Sequence, residues 1–584
     1  MKSKIVVLLF IYISLAFPQQ KFEVNLNDRA DDQFKVTLYP DDLGPENNIY
    51  HFAASAPGMY QIIDAGRFVR SFKAYDKDSN ELKTRQTSVN DWQLTSPEKI
   101  YMIQYNIAET WDTTVEENPI YRMGGTSLEK DHAVINGPDV FGYFEGKQSD
   151  PVYVKLLYPD EWEVGTALTA DVDGYYHAES YDHIVDSPFM LGNLSVSELK
   201  IDDTEIDIYT YSKTGMIKSD DIMDATDDIF RALDEFAEGM PVDRYVLLFH
   251  FEDISAGAWE HSYSSFYVYQ ETPFSGRLES DIRDVIAHET FHMITPLHIH
   301  SEIIEKFNFA KPVLSQHLWF YEGVTEWASH IMQLRAGLSG LDIHFDVLRK
   351  KLFIDDYTDK SISLKELSLN SFNMQPHFLI VYERGSVTAE LLDIRLLELS
   401  GGKKGLRELI IELSKDYGPD KSFSENGFFD DIVNRTYPEI KDFISSYITG
   451  TEPLPLKEYF NKVGINYYEQ KGVDSSRVLF DVGLGVEGDK LMISNAPGSS
   501  EARPGDVILK VNGMDLTLQN YQFIFAGVQS MKVGQILKVK VLRDKEEKDI
   551  EIKLEPFPVK HIFEVNDDAS PEQIKLRDAW MKNL

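Results

Sequence analysis

The chain has 584 residues, 43% of them hydrophobic and 26% charged, with 58 basic against 96 acidic side chains and a formal charge of −38. That length can bury several cores, and a field of that sign repels nucleic acid, so no nucleic-acid partner is expected. Cysteine is absent, which excludes disulfides, thiolate ligands and lipidation at cysteine; any metal must be held by His, Asp or Glu.

The chain opens on Lys2 and Lys4, then the apolar run "IVVLLFIYISLAF" from Ile5 to Phe17, then polar "PQQK". This is the layout of a signal peptide over residues 1–17, too short to span a bilayer comfortably. The expected product is an exported protein, periplasmic or secreted, with no integral membrane segment after cleavage. Residues 18–175 alternate, as in "FKVTLYP" (Phe34, Val36 and Leu38 on one face) and "VYVKLLYP" (Val152, Val154, Leu156), which predicts a β-rich domain. The acidic stretch Ser219 to Glu238 lacks the glycine turn and terminal glutamate of an EF-hand loop. Its apolar Ile222, Ala225, Ile229, Leu233 and Phe236 predict a helix with a solvated acidic face.

Residues 176–450 are expected to form a mostly α domain. "DIRDVIAHETFHMI", "QHLWFYEGVTEWASHIMQLRAG" and "RGSVTAELLDIRLLELSGG" carry apolar stripes three and four apart, the last two closed by glycine. Prolines in "TGTEPLPLKEYF" mark a linker over 451–471, a second β-rich stretch covers 472–557, and 558–584 reads as a tail. The chain class is multidomain α+β.

"VIAHETFHMITPLHIH", Val285 to His300, holds four histidines and a glutamate. His288 and His292 are four apart on a predicted helix with Ser280 expected at its cap, so both imidazoles leave one face and can converge on one ion. Glu289 stands beside them, placed to touch a water on that ion. His298 lies at the metzincin spacing, but Thr295 and Pro296 stand where that class needs a glycine turn, so His298 and His300 are expected as loop residues. A carboxylate from the next helix completes the set better. Glu322 begins an amphipathic helix, with Gly323 beside it to let the two backbones approach. Two imidazoles and a carboxylate leave a position open, the composition of a catalytic zinc site. Glu326, one turn on, can orient a ligand histidine. One Zn2+ per chain is expected.

These motifs resemble the glycyl-aminopeptidase-like gluzincin metallopeptidases with a C-terminal PDZ domain, a family distantly aminopeptidase N-like. "HETFH" matches its zinc helix and "WFYEGVTEW" its ligand-glutamate segment. "GAWEHSYSS" resembles the glycine-glycine-leucine-glutamate-histidine segment lining the substrate cleft, with Ala258 and Trp259 departing from it. Gly257, Glu260 and His261 are then implied as substrate-binding. "VYERGSVTAELLDIRLLE" places Tyr382 at the family's oxyanion-binding tyrosine, with Arg384 in place of a lysine. "GLGVEGDKLMISNAPGSSEARPGDVILKVNGMDL" resembles a bacterial PDZ domain, with Gly483, Leu484, Gly485 and Val486 as the loop that receives a peptide C-terminus.

The resemblance implies an N-terminal β-rich domain, a mostly α thermolysin-like (gluzincin) catalytic domain and a PDZ-like β domain. It also implies a zinc aminopeptidase acting on peptides or proteins, in which Glu289 is the general base and Tyr382 assists the oxyanion. A zinc endopeptidase of the same fold, and an inactive PDZ-based peptide-binding protein, stay open as alternatives.

Overall fold

A computed structural model of the protein describes residues 19–584 apart from 116, 256, 488–489 and 497–500. The expected signal peptide lies outside the described residues. No described helix is long and apolar enough to cross a membrane.

The N-terminal unit is built from alternating strands. In Gln33–Tyr39 the residues Phe34, Val36 and Leu38 face inward at 0–2% exposure, each side chain contributing about 1.5–3 kcal/mol of burial. That strand lies within a seven-stranded sheet in the order Tyr175–Ala178, Val152–Leu157, Gln20–Asn25, Gln33–Tyr39, Met102–Ala108, Val69–Tyr75, Glu81–Leu82. A four-stranded sheet, Gly142–Phe144, Ile49–Phe52, Asp91–Leu94 and Thr84–Gln86, packs with it around Tyr50, Phe52, Trp92 and Tyr105. A third sheet pairs Phe189–Gly192 with both Glu163–Gly165 and His132–Ile135. The β-rich unit therefore runs past residue 175, the boundary expected from alternation. Phe189 to Gly192 are all buried, so this strand shows no alternation to read.

A five-stranded sheet follows, in the order Ser195–Ile201, Thr204–Ser212, Arg244–Glu252, Ser264–Gln270, Gly257–His261, with its three central strands parallel. Within Arg244–Glu252, Tyr245 to Phe251 are buried on both faces. The expectation of a mostly α domain overlooked this sheet for the same reason. Helix Ser219–Ala237 forms as expected, with Ile222, Ile229, Leu233 and Phe236 buried. Helix Arg277–Phe291 starts ahead of Ser280 with Gly276 at its cap; Ser280 lies inside it, because Leu278 already packs against the core. A π-helical turn, Trp319–Val324, leads into helix Thr325–Arg335, and helix Leu379–Ser400 stops at Gly401, whose φ of 67° favours glycine.

The expected linker is structured. It holds helix Leu456–Lys462 and the start of a long strand, Ile465–Leu479, that pairs with Glu555–Val565. Between those two arms sits a small sheet, Gly483–Glu487, Lys490–Asn495, Val507–Val511, Ile536–Arg543 and Glu546–Lys553, with helix Tyr521–Gln529 and its own apolar core. The expected tail is the rest of the second arm and helix Pro571–Lys582. That helix buries Trp580 fully in the core of the helical region, where its indole donates to Glu390 at 2.6 Å. Leu576, Ala579 and Met581 pack beside Trp580 only in part, so the helix shows no clean apolar stripe for sequence reasoning to find.

Candidate active site

Helix Arg277–Phe291 ends at its HExxH segment, and both histidines point their Nε2 atoms at one spot. The distances are 3.2 Å from His288 Nε2 to His292 Nε2, 3.3 Å from His288 Nε2 to Glu322 Oε2 and 3.5 Å from His292 Nε2 to Glu322 Oε2. The opposite ring nitrogens are occupied: His288 Nδ1 donates to Glu326 Oε2 at 2.7 Å, and His292 Nδ1 donates to the Thr295 carbonyl at 2.8 Å. With Nδ1 so occupied, the neutral form of each ring presents its Nε2 lone pair to the spot that the three atoms share, as a metal ligand must. Tetrahedral zinc with ligand bonds near 2.0–2.1 Å has ligand–ligand edges of about 3.3 Å, so the residues present fit that ion.

Electrostatics support the arrangement. Burial alone would raise the Glu322 carboxyl, but the imidazoles of His292 and His288 hold it well below the usual carboxylate range. Glu326 is held low in the same way against its own burial, by Lys351, His288 and His330. Burial pushes Glu289 upward, with His288 opposing and Glu322 adding, and its Oε2 has no hydrogen-bond partner. A carboxylate raised in this way and left unpaired beside a metal set is suited to holding and releasing a proton.

The second ligand-bearing segment is positioned by glycine. A Cβ on Gly323 would lie 2.8 Å from Gly385 Cα and 3.0 Å from the Val381 carbonyl oxygen. The close approach expected at Gly323 is therefore made to helix Leu379–Ser400, which carries Tyr382, and not to the HExxH helix. Tyr382 lines the cleft, its ring centroid 5.8 Å from that of His288. Burial, then the charge of Glu322, keeps its hydroxyl protonated. Arg384 turns away: its guanidinium binds Asp355, Thr358 and the Ile362 and Asp359 carbonyls, so its charge serves packing.

Sequence reasoning missed Tyr60. This N-terminal-domain residue, at φ 47° after the Pro57-Gly58 turn, donates to Glu322 Oε1 at 2.8 Å. Oε2 is thus left for the metal position. Its ring rests 5.3 Å from that of Phe378, and Gln375 donates to its carbonyl at 2.6 Å. A tyrosine 262 residues from its partner leaves no spacing to detect.

Edge strand Gly257–His261 closes the cleft and alternates. Gly257, Ala258 and Glu260 line a cavity of about 430 Å³ with His288, Glu289, His292, Glu322 and Tyr382. Trp259 packs instead into the N-terminal core, and His261, expected to bind substrate, pairs with Asp186 at 3.2 Å on the opposite face. Of the two departures from the family segment, only Ala258 reaches the cleft. Burial raises the Glu260 carboxyl, opposed by His292 and reinforced by Glu322 and Glu289. Gly58 packs so closely on this carboxylate that a Cβ there would lie 2.5 Å from Oε1. His298 donates to the Ser414 carbonyl at 3.0 Å and His300 Nδ1 to that of Pro296 at 3.0 Å, so neither belongs to the site. Gly483 to Val486 form an edge strand paired on one side with Lys490–Asn495, and Gly483 packs against Tyr357.

Two family profiles match the sequence: the Peptidase M61 N-terminal domain over residues 21–193 and the M61 glycyl aminopeptidase domain over residues 281–384. No curated protein matches. Among solved structures, an aminopeptidase N family protein from Idiomarina loihiensis shares the fold at TM-score 0.78 and 19% identity, covering 96% of this chain and 100% of that one. A mutant two-domain M1 zinc metallopeptidase bound to L-tryptophan aligns at TM-score 0.47 and 10% identity, covering 75% of this chain and 95% of that one. The two profiles, spanning both the β-rich unit and the segment that carries the histidines, Glu322 and Tyr382, are those of M61 glycyl aminopeptidase domains and support a gluzincin-like peptidase.

Proposed function

We propose that the protein is a zinc aminopeptidase that removes the first residue of peptides with a free N-terminus. The observation that carries this reading is the triangle of His288, His292 and Glu322 with the unpaired Glu289 carboxylate and the buried Glu260 carboxylate beside it. Zinc held by the three ligands would supply Lewis acidity, lowering the pKa of a water toward ~7 and polarising the scissile carbonyl. Glu289 takes the proton of the attacking water and later gives it to the departing amine. The protonated Tyr382 hydroxyl donates to the oxyanion. Tyr60 and Glu326 fix the orientation of Glu322 and His288. Glu260 receives the substrate's α-ammonium, a charge-assisted contact that selects the end of a chain.

Acetylating the N-terminus of a peptide removes that charge. Cleavage of the first bond should then be lost, while efficient internal cleavage of the blocked peptide would replace this reading with an endopeptidase.

The C-terminal sheet is proposed as a PDZ-like module that accepts peptide C-termini by strand addition at Gly483–Glu487, a reading supported by the edge position of that strand and by the "GLGV" segment. Export of the mature chain is proposed on the charged and apolar pattern of residues 1–17.

A further inference from the structure

Where the N-terminal unit meets the five-stranded sheet, a second set of ligand-type side chains lies apart from the cleft. His250 and Glu252 stand two residues apart on strand Arg244–Glu252, so their side chains leave the same face. His132 opens strand His132–Ile135 of the N-terminal unit. One nitrogen or carboxylate oxygen from each of the three lies within 4.8 Å of the other two. None of the three lines the catalytic cavity.

The imidazoles are 2% and 0% exposed, yet His132 Nε2 and both nitrogens of His250 have no hydrogen-bond partner. Buried polar atoms are almost always paired. Rings packed here for area alone would be served by phenylalanine, which carries no nitrogen to satisfy. His132 Nδ1 donates to Asp131 Oδ1 at 3.1 Å, which fixes the tautomer that leaves Nε2 as a lone pair, the carboxylate–imidazole pairing common behind metal ligands. Burial holds both imidazoles below the ordinary histidine value, so they are neutral donors. Tyr211 stacks on His250 at 4.8 Å and Trp111 meets its ring edge-on at 4.9 Å. Glu252 sits at the rim, taking a 3.2 Å contact from the exposed Lys213, and so offers both a negative charge and a route in from solvent.

We propose that His132, His250 and Glu252 bind a second zinc ion, which ties the N-terminal β unit to the sheet of the catalytic region. Two imidazoles and one carboxylate are a donor set for zinc-type ions and a poor one for magnesium or calcium. The ion bridges strands of two different sheets whose facing side chains, Val134, Met190, Leu248 and Phe266 among them, already form one apolar cluster. The inference stands whether or not the cleft is an aminopeptidase.

The test is metal analysis of the full mature chain, equilibrated in a zinc buffer and dialysed against a weak chelator. The parent should carry about two zinc ions, and the double variant His288→Ala/His292→Ala about one, held by the set that remains. Adding His250→Asn to that double variant should remove the last ion and lower its thermal stability in zinc. Glu252→Gln, at the solvent rim, provides the same readout should the buried His250 change prevent folding. A zinc-free His288→Ala/His292→Ala chain overturns the proposal, and so does zinc retained in that chain after Glu252→Gln, since the ion would then sit elsewhere.

Discussion

Gly323→Ala probes how the metal-ligand segment is held. The added Cβ would stand 2.8 Å from Gly385 Cα, 2.9 Å from Gly385 C and 3.0 Å from the Val381 carbonyl oxygen. Carbon atoms prefer about 3.5–4.0 Å, so the two segments must separate by roughly 0.7–1.2 Å. All three obstructing atoms are main chain, and no side chain can swing aside. Overpacking of this kind costs about 1–3 kcal/mol, or a fall in melting temperature of roughly 2–12 °C for a domain of this class. Because Glu322 adjoins the clash, zinc affinity should fall with it. Thermal unfolding and chelator competition measure both. Gly527→Ala is the control: it lies in helix Tyr521–Gln529 with nothing within 4 Å of its Cβ position, and should be neutral or slightly stabilising. Gly323→Ala unfolding and binding zinc like Gly527→Ala would refute the packing argument.

Tyr60→Phe keeps the ring against Phe378 and removes only the hydroxyl that binds Glu322, so zinc affinity should fall ~10- to 100-fold with little change in melting temperature; unchanged affinity in a competition titration would remove Tyr60 from the site. Glu322→Ala should lose zinc far more readily than His298→Ala, because His298 is occupied by the Ser414 carbonyl. The reverse order of retention would restore the metzincin spacing.

What the sequence revealed and what it hid divide along physical lines. The HExxH pair, Glu322 and Glu326 were legible because helical periodicity converts their spacing into a shared face, and the structure brings all four together. The fully buried strands Tyr245 to Phe251 and Phe189 to Gly192 were not, since burial on both faces erases alternation. His261 leaves its strand on the face opposite Glu260 and pairs with Asp186, a placement that a motif read as a block does not reveal, because a strand sends successive side chains to opposite faces. Tyr60 and Trp580 act across long sequence separations, through contacts that no local pattern encodes.

The central claim is that Glu289 is the base of a zinc-dependent peptidase, and Glu289→Gln tests it most directly. The substitution keeps size and most hydrogen bonding while removing the proton acceptor. Measured at matched zinc content on a peptide with a free N-terminus, turnover should fall at least ~100-fold while melting temperature stays near the parent's. Full peptidase activity in the zinc-loaded variant would contradict the account.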